Sequence, residues 1–129
     1  MAQFKIYGIA DALLPVRERM SDVVHAASVS VLGLPEEKRF HRFFPMDRQN
    51  FVAPTSRSDR YTIIEVSLFE GRTPESKRAF ILALFEGFER DLGIAPDDLE
   101  ITLTETPRAN WGIRGLPGDE LTLSYRVDV

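Results

Sequence analysis

The chain repeats itself at the scale of half a domain. Gly33-Leu34-Pro35 ends one amphipathic helical stretch and Gly93-Ile94-Ala95-Pro96 ends another, the two glycines standing 60 residues apart. Pro15 and Pro74, each placed to open its helix, are 59 residues apart. A strand-like segment lies before and after each helix. The chain therefore reads as two βαβ units within one domain spanning 1–129, the first over about 2–46 and the second over about 61–106. Right-handed crossovers make each unit a parallel strand pair. Joined in one sheet, the two pairs carry both helices on one face. The expected class is α/β (α+β), with a four-stranded mixed sheet.

The local patterns supply the elements. Gln3 to Gly8 alternates, with Phe4 and Ile6 on one side and Lys5 and Tyr7 on the other. Val16, Met20, Val23, Val24, Ala27 and Val31 form a stripe at helical spacing. Lys38 to Met46 reads as an aromatic strand, and Asp47 to Arg60 as a polar loop. Tyr61 to Phe69 is apolar on both sides, as a central strand would be. Thr73 is a good N-cap, Pro74 suits the first helical position and Glu75 the positive end of the helix dipole. Ile81, Leu84, Phe85, Phe88 and Leu92 make the second helical stripe, and Leu99 to Thr106 alternates again. Pro107 to Gly118 reads as a loop carrying Trp111, and the alternating tail, about 121–129, as a short terminal strand.

Composition narrows the function classes. Hydrophobic content of 43% and charged content of 28% are those of an ordinary globular domain. A net charge of −4 gives no footprint for nucleic acid. No apolar run approaches membrane-spanning length, and no signal peptide is apparent. The chain has no cysteine, hence no disulfide, thiolate nucleophile or Cys-type zinc site. A cytoplasmic protein is expected. Two histidines 16 residues apart, with no ligand spacing, predict no metal site. The sheet face opposite the helices would hold Tyr7, Ile63 and Phe69, too apolar to meet water, so an oligomer is expected.

The duplicated βαβ layout, the first strand starting directly after Met1, the turn Glu70-Gly71-Arg72-Thr73-Pro74-Glu75 and the closure Gly93-Ile94-Ala95-Pro96-Asp97-Asp98-Leu99 together resemble the tautomerase superfamily. Its long-chain branch that includes malonate semialdehyde decarboxylase is the nearest in look. Ala109-Asn110-Trp111-Gly112-Ile113 also resembles that branch's aromatic pocket loop. The resemblance implies a tautomerase/MIF-like fold, a homotrimer with active sites between subunits, and no cofactor. It also implies that an N-terminal proline, freed by Met removal, acts as general base or acid.

Here the matching position is Ala2. Removal of Met1 would leave a primary α-amine, whose unperturbed pKa is about 7.7–8.0. Of two arginines that bracket a turn residue in the decarboxylases, Arg72 is matched and the other is replaced by Glu70. Their water-activating acid falls on Lys38. The candidate site is thus Ala2 as the catalytic amine, with Arg72, Arg42, Arg39 and Arg114 as carboxylate binders and Trp111 and Ile113 as pocket walls. Arginine suits a carboxylate because it bonds it in bidentate fashion.

Plainer roles exist for each. Arg72 also fits a surface pair with Glu70 or Glu75, Trp111 fits core or interface filling, and Arg39 and Arg42 fit stacking on Phe rings or crossing between subunits. His25 reads as structural and His41 as a weak acid–base candidate. Two functions follow. One is tautomerase-like proton transfer on a small α-keto or enol carboxylate. The other is a non-catalytic trimer that keeps the fold and binds a small carboxylate.

Overall fold

A computed structural model describes all 129 residues. Strand β1 runs Ala2–Ile9. A short helix α1, Ala10–Leu13, and one 3₁₀ turn through Pro15 lead into α2, Arg17–Leu32. Strand β2 is His41–Met46 and β3 is Thr62–Phe69. Helix α3, Pro74–Gly87, continues as a wider π turn through Phe88–Leu92. Strand β4 is Leu99–Thr106, and a two-residue hairpin pairs β5, Gly112–Ile113, with β6, Leu116–Pro117.

The sheet order is β2-β1-β3-β4. The outer pairs β1–β2 and β3–β4 are parallel and the central pair β1–β3 is antiparallel, so the sheet is mixed and the duplication is real. Its two closures are alike in detail. Gly33 (φ 67°) and Gly93 (φ 64°) both stand in the left-handed region. Leu34 N–H then bonds Ser28 O at 3.2 Å, and Ile94 N–H bonds Phe88 O at 3.1 Å. Leu34 and Ile94 are both buried, so each helix ends on a left-handed glycine followed by an apolar residue turned into the core.

Phe4, Ile6, Ile64, Val66 and Leu68 on the sheet pack against Met20, Val24 and Leu32 of α2 and Phe80, Leu84 and Phe88 of α3. The buried stripe of α3 is set one residue back from the sequence reading: Phe80 is buried while Ile81 and Phe85 are half-buried. Residues 80, 84, 88 and 92 repeat every four, which drifts around an ideal α-helix of 3.6 residues per turn. The wider turn at 88–92 brings Leu92 back to the core.

On the opposite face, Tyr7 stacks on Phe44 with centroids 4.8 Å apart, and Ile63 stays half-buried. Phe69 differs from the expectation that a second subunit would cover it. Trp111 meets its ring edge-on at 5.1 Å and the Arg108 guanidinium lies 5.5 Å from its centroid, so it is fully buried by its own chain.

The tail corrects a second expectation. Residues 121–129 pair with no strand in this chain. They run across the β3–α3 turn, where Val129 O accepts Thr73 N–H at 3.2 Å and Tyr125 packs on the core. Leu121, Leu123, Tyr125, Val127 and Val129 are half-buried and the residues between them exposed. Alternation here reflects one-sided packing, which has the same period as a strand. The aromatic strand also starts later than the pattern suggested, at His41, although Phe40 O already accepts Phe4 N–H at 2.9 Å.

Candidate active site

Strand β1 starts at one end of the sheet, and the antiparallel pairing with β3 brings that start beside the turn opening α3. Ala2 stands opposite Leu68, and Met1 O accepts Phe69 N–H at 3.2 Å. Met1 and Ala2 are both buried. The α-amine at the head of β1, carried by Met1 in this structure, therefore sits inside the protein rather than in solvent. Its pKa is lowered from 8.0 to about 5, first by burial, then by the positive charges of Arg72, Arg108 and Lys38. At neutral pH it is a free base.

Arg72 reaches this place because α3 begins where β3 ends. Thr73 caps the helix, its Oγ1 accepting Ser76 N–H at 3.1 Å, and Pro74 follows. That fixed turn directs Arg72 inward, where it is only 5% exposed. Its Nη1 donates to Leu32 O, the carbonyl end of α2, at 2.7 Å. Its Nη2 is buried and hydrogen-bonds to nothing in the chain. Burial lowers the pKa of the guanidinium, and Glu105 opposes that shift. Glu105 is itself engaged by Lys77 of α3 at 2.6 Å. The surface pair with Glu70 or Glu75 is not formed. A buried donor without a partner costs about 1–3 kcal/mol, which marks the free guanidinium edge as a candidate binding group.

Lys38, the position matching the family's acid, precedes β2 and is half-buried with its charge acting on the amine. Arg108 was not foreseen. It follows β4 in a 3₁₀ turn, Arg108–Asn110, three residues before Trp111. The one available signal was a basic residue one turn ahead of the aromatic pocket residue. Sequence spacing alone could not show which way it points.

The other candidates are placed elsewhere within one chain. Arg39 bonds Asp22 Oδ1 at 2.7 Å and Ser21 Oγ at 3.3 Å on α2, on the helix side of the sheet. Arg42 is exposed on the opposite face, in register with Lys5 of β1. Trp111 lies against Phe69 near the amine end of the sheet. Ile113 pairs with Leu116 in the β5–β6 hairpin, whose turn is made by Arg114 (φ 51°) and Gly115 (φ 85°). Arg114 is exposed at that tip. His41 faces α2, its Nδ1 2.7 Å from Ser21 Oγ and its ring 4.9 Å from Phe4. It ties β2 to α2 on the helix side of the sheet.

Several known proteins are similar to this chain in sequence and fold. A probable tautomerase of Ralstonia nicotianae is 38% identical over 55 residues, which are 43% of this chain and 79% of that protein. FG41 malonate semialdehyde decarboxylase, solved with 3-bromopropiolate as inhibitor, is 30% identical with a TM-score of 0.77, over 85% of this chain and 87% of the other. A fused 4-OT solved as an asymmetric trimer shares the fold at 19% identity and a TM-score of 0.80, over 91% and 96% of the two chains. The family model described as "Tautomerase enzyme" matches residues 38–114, more than half of the sequence and including Lys38, Arg72, Arg108 and Trp111, and the chain belongs to that tautomerase family.

Proposed function

We propose that this protein moves a proton between oxygen and carbon of a small α-keto or enol carboxylate, using the α-amine at the head of β1 as the base. The observation that carries this reading is the buried amine, held as a free base by burial and by the charge of Arg72, whose own Nη2 has no partner in the chain. Arg72 Nη2 binds the substrate carboxylate. The amine takes the enol hydroxyl proton, the C=O forms, and the resulting ammonium returns that proton to the neighbouring carbon. Atoms and charge balance without a further reactant. Lys38 and Arg108 stabilise the negative charge that builds on oxygen between the two transfers. Trp111 and Ile113 wall the pocket and limit water.

When Met1 is removed, the working amine is that of Ala2, which stands opposite Leu68 at the start of β1. The chain works as a homotrimer in this reading, since Arg42 and Arg114 are exposed on one subunit and a neighbouring site can take them. The trimer in which a related fold was solved supports this assembly.

Alanine in place of proline at position 2, and Glu70 in place of an arginine, favour a second reading, in which the trimer binds a small carboxylate without turnover. The test is ketonisation of phenylenolpyruvate by untagged protein, with the N-terminal residue fixed by intact mass. Turnover that is lost when the α-amine is acetylated supports the amine as base. Full activity after acetylation sinks that role, and substrate binding without turnover selects the second reading. The rate of the wild-type protein is expected to hold from neutral pH down towards pH 5 and to fall below it, as the amine protonates.

A further inference from the structure

The loop from Pro107 to Leu121 is held across Phe69 by one side chain. Arg108 Nε and Nη2 donate to Gly118 O at 3.1 and 2.9 Å, and Nη2 also donates to Leu121 O at 3.0 Å. The guanidinium lies over the Phe69 ring. Between these ends the chain folds back on itself, with Gly118 N–H bonding Trp111 O at 2.6 Å. The fit leaves no space for a side chain at Gly118: a Cβ there would lie 2.5 Å from Arg108 O and 3.2 Å from the Phe69 ring. The backbone N–H of Phe69 in turn bonds Met1 O, so the residue whose ring Arg108 covers is hydrogen-bonded to the residue bearing the amine.

We propose that Arg108 is a positioning residue that couples closure of the Trp111 loop to the readiness of the α-amine. Its planar fork clamps the loop through two carbonyls, and its charge acts on the amine. Loss of the clamp would release Trp111 and at the same time withdraw a cation from the base. The charged groups acting on the amine are Arg72 from the β3–α3 turn, Lys38 from the segment before β2 and Arg108 from the segment after β4. The acid on the neighbouring strand, Glu105, is held by Lys77. The inference rests on the amine being the working base, but its test needs no turnover.

The experiment compares wild type, Arg108→Gln and Arg108→Lys by two readouts. One is the pH midpoint for reductive methylation of the α-amine, read on the N-terminal peptide by mass spectrometry. The other is the emission of Trp111, the chain's one tryptophan. In R108Q the midpoint is expected to rise by roughly half a unit or more, as for removal of a nearby like charge, and Trp111 emission to shift to the red. In R108K the midpoint stays near that of wild type while the emission still shifts, because an ammonium cannot reproduce the fork. Equal midpoints in wild type and R108Q overturn the coupling to the amine, and unchanged emission in R108K overturns the clamp. If R108Q fails to fold by circular dichroism, R108K alone decides the clamp. A wild-type midpoint near 8 would instead remove the base itself, and the function proposed above with it. A low wild-type midpoint without ketonisation leaves the coupling standing and removes only the tautomerase reading.

Discussion

Arg72 has a cost and a use at the same atom. Its Nη1 is satisfied by Leu32 O, while Nη2 is buried without a partner. Replacing one member of a buried polar arrangement usually destabilises, yet removing a buried cation that lacks a counter-ion also relieves desolvation. The two effects oppose each other in Arg72→Met, so its unfolding free energy in urea is expected within about 1 kcal/mol of wild type. Its kcat/KM for a carboxylate substrate is expected to fall by roughly tenfold to a hundredfold, the value of one charge-assisted hydrogen bond. A large loss of stability with unchanged kcat/KM would make Arg72 a scaffold residue. His41 gives a pH signature on the helix side of the sheet. Burial, then Arg39 and His25, lower its pKa from 6.5 to about 4, with Asp22 opposing. Between these values the unfolded chain binds more protons than the folded one, so stability falls as pH drops from about 6.5 towards 4. The α-amine adds a slope of the same sign at higher pH, because its folded value is also lowered. His41→Gln is expected to flatten the acid part of the stability profile measured by urea titration, and an unchanged profile would contradict the role given to burial.

At the scale of elements, the two glycine closures make matched partners for one measurement. Alanine at Gly33 or Gly93 must adopt a left-handed backbone, at a cost of about 1 kcal/mol in each case. Gly33→Ala and Gly93→Ala are thus expected to lower the urea midpoint by similar amounts. A loss at only one of them would mean that the halves do not contribute equally to the fold. These closures were legible in the sequence because glycine and proline act through the local backbone, and so was the Thr73 cap. Strands β1, β3 and β4 were legible to within a residue or so because period-2 alternation coincides with burial by the helices. The tail was misread for the same reason. Leu121 to Val129 alternates, but its apolar side rests on the β3–α3 turn and the core instead of pairing into the sheet. The direction of a candidate side chain was legible only where it sits on a rigid local motif. Arg72 was singled out by the family resemblance, and its inward direction follows from the capped turn after it. The directions of Arg39 and Arg108 do not follow in this way, because long side chains choose among partners brought together by folding: Asp22 for one, the Gly118 and Leu121 carbonyls for the other.

Over the whole molecule, the two faces of the sheet have different fates. The helix side is closed within one chain, with Phe4, Ile6, Ile64 and Leu68 buried. The other side is closed only at the Phe69 end, by Arg108 and Trp111. Towards β2 it presents Phe44, still 38% exposed, stacked on Tyr7, with Ile63 beside Tyr7 on the next strand. Charged neighbours flank this patch: Lys5 lies between Arg42 and Glu65 in register. An aromatic centre with a charged rim has the composition of an association surface. Phe44→Glu places a carboxylate in that centre while leaving the helix-side core untouched, so the subunit is expected to fold with its far-UV spectrum unchanged. Sedimentation should then show wild type at three times the chain mass and the variant at one. The amine, Arg72, Lys38 and Arg108 come from one chain, so the labelling midpoint of the amine is expected to stay low in the dissociated variant. Turnover is expected to fall if the proposed trimer completes the site with side chains from a neighbouring subunit. A variant that dissociates and keeps full activity would confine the whole reaction to one chain. A wild type that sediments as a monomer would remove the trimer from the proposal and leave the patch to another partner.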